Sequence, residues 1–344
     1  MSERRLMRPP STFASDPVDR ATVPTGEVAV SVVTPCYNAA AHLQRSIGSV
    51  QAQGFADWEL VVVDDGSKDD SWAVLEAMAA QDGRIRPLRQ AKAGAAAADV
   101  YKRQAAARGH YVAFLDADDT WAPDFLGTMV AALDADPGAG VAYCGWQNLG
   151  LDEARSKPYV PPDYESGDKV DTMLGGCPWP IHGALSRLAL VRAAGGFDEG
   201  LSSCMDYDLW LRLATGHRVL RVPNVLAFYH HHGGEQITRN RTRLAMNHWR
   251  AQRNYLTAHP DAAAHLGRRR LRELTAGELL HRGYVAYWQR DLGAARAIFR
   301  AVMKLGYGGP KDWAYMLPSW LPESWHRTLL RLRDTSATAG QRPS

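Results

Sequence analysis

The sequence predicts an α/β protein with a C-terminal helical appendage. Short β-branched runs alternate with helix-period segments through about residue 135, the pattern of parallel strands joined by crossover helices. Polar clusters rich in aspartate follow three of those strands. Beyond about residue 240 the strand signal stops and helix follows helix.

Residues 1–26 mix Pro, Ser, Thr and charge without periodicity and read as a tail. Residues 28–34 are β-branched and end at Pro35, which predicts a buried strand. Residues 39–53 carry a helical period. Residues 58–63 form a second buried strand ending in Asp64-Asp65-Gly66-Ser67, and Ser67 or Asp69 is placed to cap a helix that reaches Gln81. A shorter strand over 84–89, an alanine-rich helix over 95–107 and a buried strand over 111–115 follow. Pro123 suits the first turn of a helix to about Ala135. Residues 150–180 are loop-like, with Pro158, Pro161, Pro162, Pro178 and Pro180. Residues 186–194 read as a helix ended by Gly195-Gly196, 205–214 as a short helix, and 217–222 and 225–229 as two closing strands. Residues 271–299, broken near Asp291-Leu292-Gly293, read as one helical hairpin.

The 344 residues carry 40 Lys and Arg against 37 Asp and Glu, a formal charge of +3. That balance excludes an overall basic nucleic-acid binder. An apolar content of 46% is that of a globular chain. Cys36, Cys144, Cys177 and Cys204 form no Cys-x-x-Cys pair, which points to a reducing compartment and away from a disulfide framework or zinc site. Arg4, Arg5 and Arg8 have no apolar run behind them, so no signal peptide is expected. No stretch approaches a membrane span. The expected location is the cytoplasm, with peripheral contact on the cytoplasmic face of a membrane left open.

Parallel sheets bind ligands at the carboxyl ends of their strands. Pro35-Cys36-Tyr37-Asn38, Asp64-Asp65-Gly66-Ser67 and Asp116-Ala117-Asp118-Asp119 are therefore expected on one rim. Carboxylates crowded into Asp116, Asp118 and Asp119 repel one another unless a cation is present, and oxygen donors suit Mg²⁺ or Mn²⁺. The plainer reading is an Asp-rich turn in which Asp119 or Thr120 caps the next helix. Asp65 offers hydrogen bonds to a base or ribose and Tyr37 a stacking face; a turn and cap is the alternative. On a helix over 205–214, Asp206 shares a face with Leu209, Trp210 and Leu213 and points inward, while Asp208 pairs with Arg212 on the outer side. An inward carboxylate is a candidate general base, and a dipole-compensating Asp is the alternative. His230, His231 and His232 offer a metal or phosphate contact, or a polar loop with one ring tucked against the sheet.

Taken together, these motifs resemble family 2 glycosyltransferases of the GT-A fold, a nucleotide-diphospho-sugar transferase fold with a Rossmann-like mixed sheet. The resemblance covers about residues 28–238. It rests on Val32-Val33-Thr34-Pro35-Cys36-Tyr37-Asn38, residues 60–67, Phe114-Leu115-Asp116-Ala117-Asp118-Asp119, Gly195-Gly196-Phe197-Asp198-Glu199, and Met205-Asp206-Tyr207-Asp208-Leu209-Trp210-Leu211-Arg212. It implies an inverting, metal-dependent transferase using a nucleotide-activated sugar, a UDP-sugar first, in cell-surface or exopolysaccharide synthesis. Pro35, Tyr37, Asn38, Asp65 and Asp116 would bind the donor. Asp118 would be the main metal contact, with Asp116 or Asp119 assisting. Asp206 would deprotonate the acceptor, a saccharide or lipid-linked saccharide. Trp179 and His182 lie where relatives shape the acceptor pocket; stacking on a sugar and packing the loop both remain open for Trp179. His231 or His232 would approach the diphosphate.

Two departures from the family pattern matter. Met205 stands where many relatives have Glu. Residues 98–104, Ala-Asp-Val-Tyr-Lys-Arg-Gln, replace an Arg-Asn pair and read as natural variation or as adaptor sequence carried into the gene. Two other readings compete: an inactive relative serving as a binding scaffold, and a sugar nucleotidyltransferase, which lacks its Gly-rich loop here. The expected division is a tail to 26, a transferase domain over 27–240, a basic helical region over 241–333 and a tail over 334–344. Residues 1–240 carry 22 basic and 30 acidic side chains, a net −8, whereas residues 241–344 carry 18 and 7, a net +11. Trp313, Trp320, Trp325, Arg327, Arg331 and Arg333 gather near the end. Trp with Arg on helices suits an anionic membrane surface or an Arg-rich face packed on its own domain.

Overall fold

The structure, a computed structural model, describes residues 28–90, 106–232 and 240–328. The two tails, the alanine-rich helix up to residue 105 and most of the C-terminal Arg cluster lie outside the described residues, as does the run 98–104. Eight strands form one sheet in the order β3-β2-β1-β4-β7-β6-β8-β5. They are β1 (Val30–Cys36), β2 (Trp58–Asp64), β3 (Ile85–Arg89), β4 (Tyr111–Phe114), β5 (Thr120–Trp121), β6 (Ala139–Leu149), β7 (Ala184–Arg187) and β8 (Arg218–His230). The first four are mutually parallel. β7 then runs antiparallel to both β4 and β6, β8 runs parallel to β6, and β5 closes antiparallel on β8. The sheet is therefore mixed, as the GT-A resemblance implied.

The β-branched runs form β1 and β2 because both faces of these strands are covered. α1 (Ala40–Gln51) buries Leu43, Ile47 and Val50, and α3 (Phe125–Ala135) buries Phe125, Leu126, Met129 and Leu133. With Leu75 of α2 (Ser71–Gln81), they cover one face of the sheet. On the opposite face sit α5 (Leu188–Ala193) and α6 (Met205–Gly216), whose Leu209, Trp210 and Leu213 are buried. Each large apolar side chain buried here contributes about 1.5–3 kcal/mol.

Several expectations are corrected. Residues 186–194 are not one helix: β7 ends at Arg187 and α5 begins at Leu188. All four residues of β7 are buried, so no alternation marks it as a strand. The two closing strands are one, β8, carried through a bulge in which Gly145 faces Val225 where Cys144 faces Val222. Pro223 lacks a ladder donor and is tolerated at that bulge. The loop-like stretch before 180 holds a short helix, α4 (Lys169–Leu174), capped by the Asp168 side chain on Asp171 N–H.

The C-terminal part is helical: α7 (Arg241–Ala258), α8 (Gly267–Arg272), α9 (Glu278–Trp288), α10 (Leu292–Lys304) and α11 (Pro310–Met316). α7 shares the core beneath α6. His248 stacks on Tyr207 at 4.3 Å, and Gln252 Nε2 donates to the carbonyls of Leu174 and Leu274. α9 to α11 build a second core around Ile298, Phe299, Val302 and Met316. No described helix is long and apolar enough to cross a membrane.

Candidate active site

The rim at the carboxyl ends of β1, β2 and β4 is stitched together by side chains. Asn38 takes a left-handed backbone (φ 48°), unusual for a residue with a side chain. Its N–H donates to Ser67 Oγ at 2.9 Å, and its Oδ1 accepts from Lys68 N–H at 2.8 Å. The N-terminal N–H groups of α1 have no cap of their own. Ala39 N–H instead donates to Ser71 Oγ and Ala40 N–H to Asp69 Oδ2. The loop after β1 and the loop after β2 therefore form one platform. On it Tyr37 is exposed, while Asp65 is buried and its Oδ1 accepts from Gln90 Nε2 at 2.6 Å. Cys36 lies just beneath, and burial pushes its thiol up to about 11.

The turn after β4 is held against α1. Ser46 Oγ donates to the Asp116 carbonyl at 3.1 Å and Arg45 Nη2 to the Asp118 carbonyl at 2.9 Å. The Asp118 carboxylate is partly open, and its Oδ2 lies 2.8 Å from His232 Nε2. His42 of α1 packs on the His232 ring at 4.5 Å. His42, Arg45 and Ser46 are not among the residues that the sequence singles out. Their spacing at i, i+3 and i+4 is the available signal, a polar stripe beside the apolar face of α1.

Asp119 departs from its expected role as a metal contact. It is fully buried, its Oδ1 accepts from His230 N–H at 2.8 Å, and its Oδ2 lies 3.1 Å from His182 Nδ1. Burial, reinforced by Asp116 and Asp118, pushes its carboxyl well up. Burial drives His182 down to about 3. Both shifts favour uncharged forms, as expected of a pair sealed from water. His182 is thus a core residue, its carbonyl accepting from Trp121 Nε1 at 2.7 Å, and it does not line an open pocket. Trp179 is likewise buried, stacked on Tyr143 at 4.3 Å and packed against Tyr164 and Trp210. Loop packing, the plainer alternative, describes it. Of the two other histidines, His232 meets Asp118, while His231 Nε2 turns to Asn148 Oδ1 at 3.2 Å.

Asp206 occupies the first turn of α6, behind Cys204, which takes a left-handed backbone (φ 58°). It is half-buried, and burial raises its carboxyl, opposed by the N–H of Tyr207, which donates to Oδ1 at 2.8 Å. The thiols of Cys177 and Cys204 are close enough to interact with it electrostatically. Asp208 pairs with Arg212 at 2.6 Å as expected, but it is buried and not outward-facing. The cause is the loop before α6: Arg212 also donates to the carbonyls of Ala194 and Gly196, folding that loop over the pair.

No group of three or more His, Cys, Asp or Glu is arranged to hold a metal ion among the described residues. Asp118 with His232 supplies one carboxylate and one imidazole. That donor set suits an ion completed by water and substrate phosphates.

Residues 31–177 match the model of glycosyl transferase family 2. This segment belongs to that family. The family 2 segment contains β1, β2, β4 and the whole carboxylate rim. Among curated relatives, O-antigen biosynthesis protein RfbC of Myxococcus xanthus is 33% identical over 187 residues, covering 54% of this chain and 14% of that protein. The chain thus spans well under two thirds of that relative's length. Among solved structures, TarS of S. aureus in complex with UDP-GlcNAc aligns with a TM-score of 0.59 at 17% identity, covering 80% of this chain and 81% of that one. The mannosyltransferase PcManGT of Pyrobaculum calidifontis, in complex with GDP-Man and Mn²⁺, aligns with a TM-score of 0.52 at 21% identity, covering 89% and 88%. The family 2 segment and the mixed sheet around it have the GT-A fold.

Proposed function

We propose that this chain transfers a sugar from a nucleotide-diphosphate donor, a UDP-sugar first, to an acceptor hydroxyl with inversion at the anomeric carbon. The proposed setting is synthesis of a cell-surface or exported polysaccharide, at the cytoplasmic face of a membrane, with a saccharide or lipid-linked saccharide as acceptor. The observation that carries the reading is the rim itself. Tyr37, Asp65, Asp116 and Asp118 gather at the ends of three parallel strands, and His232 is brought onto Asp118 from the end of β8. The printed ligands of TarS and PcManGT support a nucleotide-sugar donor, and the name of RfbC supports the setting.

Mg²⁺ or Mn²⁺ fits here: Asp118 and His232 would hold it beside Asp116, and its charge would offset that of the diphosphate leaving group. The remaining chemistry belongs to the chain. The exposed Tyr37 ring offers a stacking face to the base. Asp65, steadied by Gln90, offers a fixed acceptor to base or ribose. Pro35 and Asn38 shape the loop that carries Tyr37. Asp206 accepts the proton of the acceptor hydroxyl. The freed oxygen bonds to the anomeric carbon, and the nucleoside diphosphate leaves with the electron pair of the broken C–O bond. A base raised by burial is better matched to that proton than an ordinary surface carboxylate. We assign the transferase domain to residues 27–240 and the basic helical region to 241–333.

A thermal-shift panel of UDP- and GDP-sugars with and without Mn²⁺ tests the reading, because a ligand bound only to the folded state raises Tm. One donor class is expected to stabilise the chain in a metal-dependent way, and Asp118→Ala to lose the metal-dependent part. No stabilisation by any nucleotide sugar would overturn the assignment in favour of a binding scaffold.

A further inference from the structure

Eleven tryptophans occur in the chain. Only Trp288 (57%), Trp320 (57%) and Trp325 (64%) are exposed among the described residues, and all three belong to the C-terminal helical region, beside Leu317 (54%). The elements that carry them are packed together. Trp288 contacts the Tyr315 ring near the end of α11, and Leu317 and Trp320 lie on the turn Leu317–Trp320 that follows. His326, next to Trp325, packs against Tyr287, next to Trp288.

These side chains are presented outward by a fixed backbone. Met316, Ser319 and His326 are buried between them. Two arginines of α10 clamp the segment. Arg296 Nη2 donates to the Leu321 carbonyl at 2.6 Å, and Arg300 Nε to the Ser319 carbonyl at 2.8 Å, with its guanidinium 5.3 Å from the Trp320 ring. Exposed apolar side chains held in place this way mark a contact surface.

Charge decides the partner. Over residues 278–328 there are 7 basic and 4 acidic side chains, a net +3. Each of the four acids is already engaged: Glu278 by Arg282, Asp291 by the N-terminus of α10, Asp312 by Tyr284 and Gly309, and Glu323 by Arg327. Lys304 and Lys311 are exposed and carry no ion pair among the described residues. A second copy of this chain would meet the same positive charge and be repelled. An anionic headgroup layer would not, and tryptophan settles at the level of headgroups, with its ring partly buried and its N–H hydrated.

We propose that Trp288, Leu317, Trp320 and Trp325, with Lys304 and Lys311, form a docking face for an anionic lipid bilayer. The face extends the membrane part of the function proposed above and is independent of the donor chemistry. Interfacial apolar insertion and electrostatic attraction act together there, neither being sufficient alone.

The test is co-sedimentation of the full chain with vesicles of phosphatidylcholine alone and of phosphatidylcholine mixed with phosphatidylglycerol, at low and high salt. Binding is expected only to the anionic vesicles and should weaken with salt. The triple variant Trp288→Ser/Trp320→Ser/Trp325→Ser is expected to lower partitioning by about tenfold or more, and Lys304→Glu/Lys311→Glu to weaken it with Tm unchanged. Equal binding to both vesicle types, no binding to either, or wild-type binding by both variants overturns the proposal. So does a concentration-dependent dimer that the triple variant abolishes, which would assign the face to a second copy. Nucleotide-sugar stabilisation measured on the same samples separates the two readings: it stays intact if only the docking face is wrong.

Discussion

Substitution of Glu59 gives the most quantitative test of how the carboxylate rim is held in register. Glu59 is a buried carboxylate of β2. Its Oε1 accepts from Ser31 Oγ at 2.6 Å and from Arg108 N–H at 2.8 Å. Its Oε2 accepts from Arg108 Nε at 3.1 Å, Arg108 Nη2 at 2.9 Å, and Arg86 Nη1. The cluster pins the chain where it turns into β4, the strand that leads to Asp116. Ser31 Oγ also accepts from Gly109 N–H at 2.8 Å, and a Cβ on Gly109 would lie 2.5 Å from Ser31 N, so the approach is close enough to require glycine.

In Glu59→Ala all five bonds go. A hydrogen bond to a charged group contributes about 1.5–3 kcal/mol. The guanidinium groups are partly open to water (side-chain exposure 32% for Arg86 and 58% for Arg108), so their share falls to the few tenths usual for surface pairs. Most of the loss therefore comes from the bonds that Ser31 Oγ and Arg108 N–H give to Oε1, and Ser31 Oγ, already 3.0 Å from Arg108 N, recovers part of the second. The expected loss is about 2–4 kcal/mol, read as a lower midpoint in equilibrium urea unfolding at unchanged slope. pH gives an independent check. Burial works to raise the Glu59 carboxyl, but the bonds from Ser31, Arg108 and Arg86 outweigh it and hold the group below its usual range. A depressed carboxylate stabilises the fold above its unfolded value, about pH 4.3, and that stabilisation is lost as pH falls through the folded value. The gap between wild type and variant should therefore be full at neutral pH and narrow as pH falls below the unfolded value, about 4.3. A loss under about 0.5 kcal/mol at neutral pH, or a gap that does not narrow in acid, would refute the reasoning.

Two further outcomes are expected. Asp206→Asn should leave metal-stimulated donor binding intact and lower kcat by about 10²–10⁴-fold; because burial raises this carboxyl, and only its ionised form takes a proton, the wild-type rate should fall with decreasing pH from above the ordinary carboxylate range. Wild-type transfer rates in the variant would remove Asp206 from the mechanism. Trp179→Ala should cost about 3–5 kcal/mol of stability and leave the KM for acceptor unchanged in the folded fraction; a raised acceptor KM at unchanged Tm would restore the stacking role that its burial against Tyr143 denies.

The elements legible in the sequence were those whose burial and composition agree. β1 and β2 are rich in β-branched residues and buried on both faces, and α1 shows its apolar spacing through Leu43, Ile47 and Val50. β6 escaped because Ala139, Gly140, Ala142 and Gly145 dilute its β-formers. Gly145 is there because a Cβ would lie 2.8 Å from the Tyr159 carbonyl, a contact no local pattern reveals. β7 escaped because four buried residues have no period to read. The rim was legible because topology alone sends strand ends to one side. The directions of its side chains were not, since Asp119 and His182 meet across 63 positions of sequence.

The turn after β4 shows why a sealed carboxylate sits next to an open one. Asp119 accepts from His230 N–H, Thr120 Oγ1 lies 2.9 Å from His230 Nε2, and Thr120 pairs with Phe228 across β5 and β8. Three contacts from two consecutive residues thus hold the end of β8 against this turn. His232 follows two residues later, and its ring reaches Asp118. Asp119 is a buried acceptor with a structural role, fixing the distance over which a histidine from β8 meets the aspartate of the rim. A carboxylate left exposed at position 119 would leave His230 N–H without its acceptor, and an unmet buried donor costs about 1–3 kcal/mol. The same cluster of three aspartates therefore divides its work by burial. Asp116 and Asp118 keep oxygen donors in reach of solvent, and Asp119 commits its own to the backbone that delivers His232 to them.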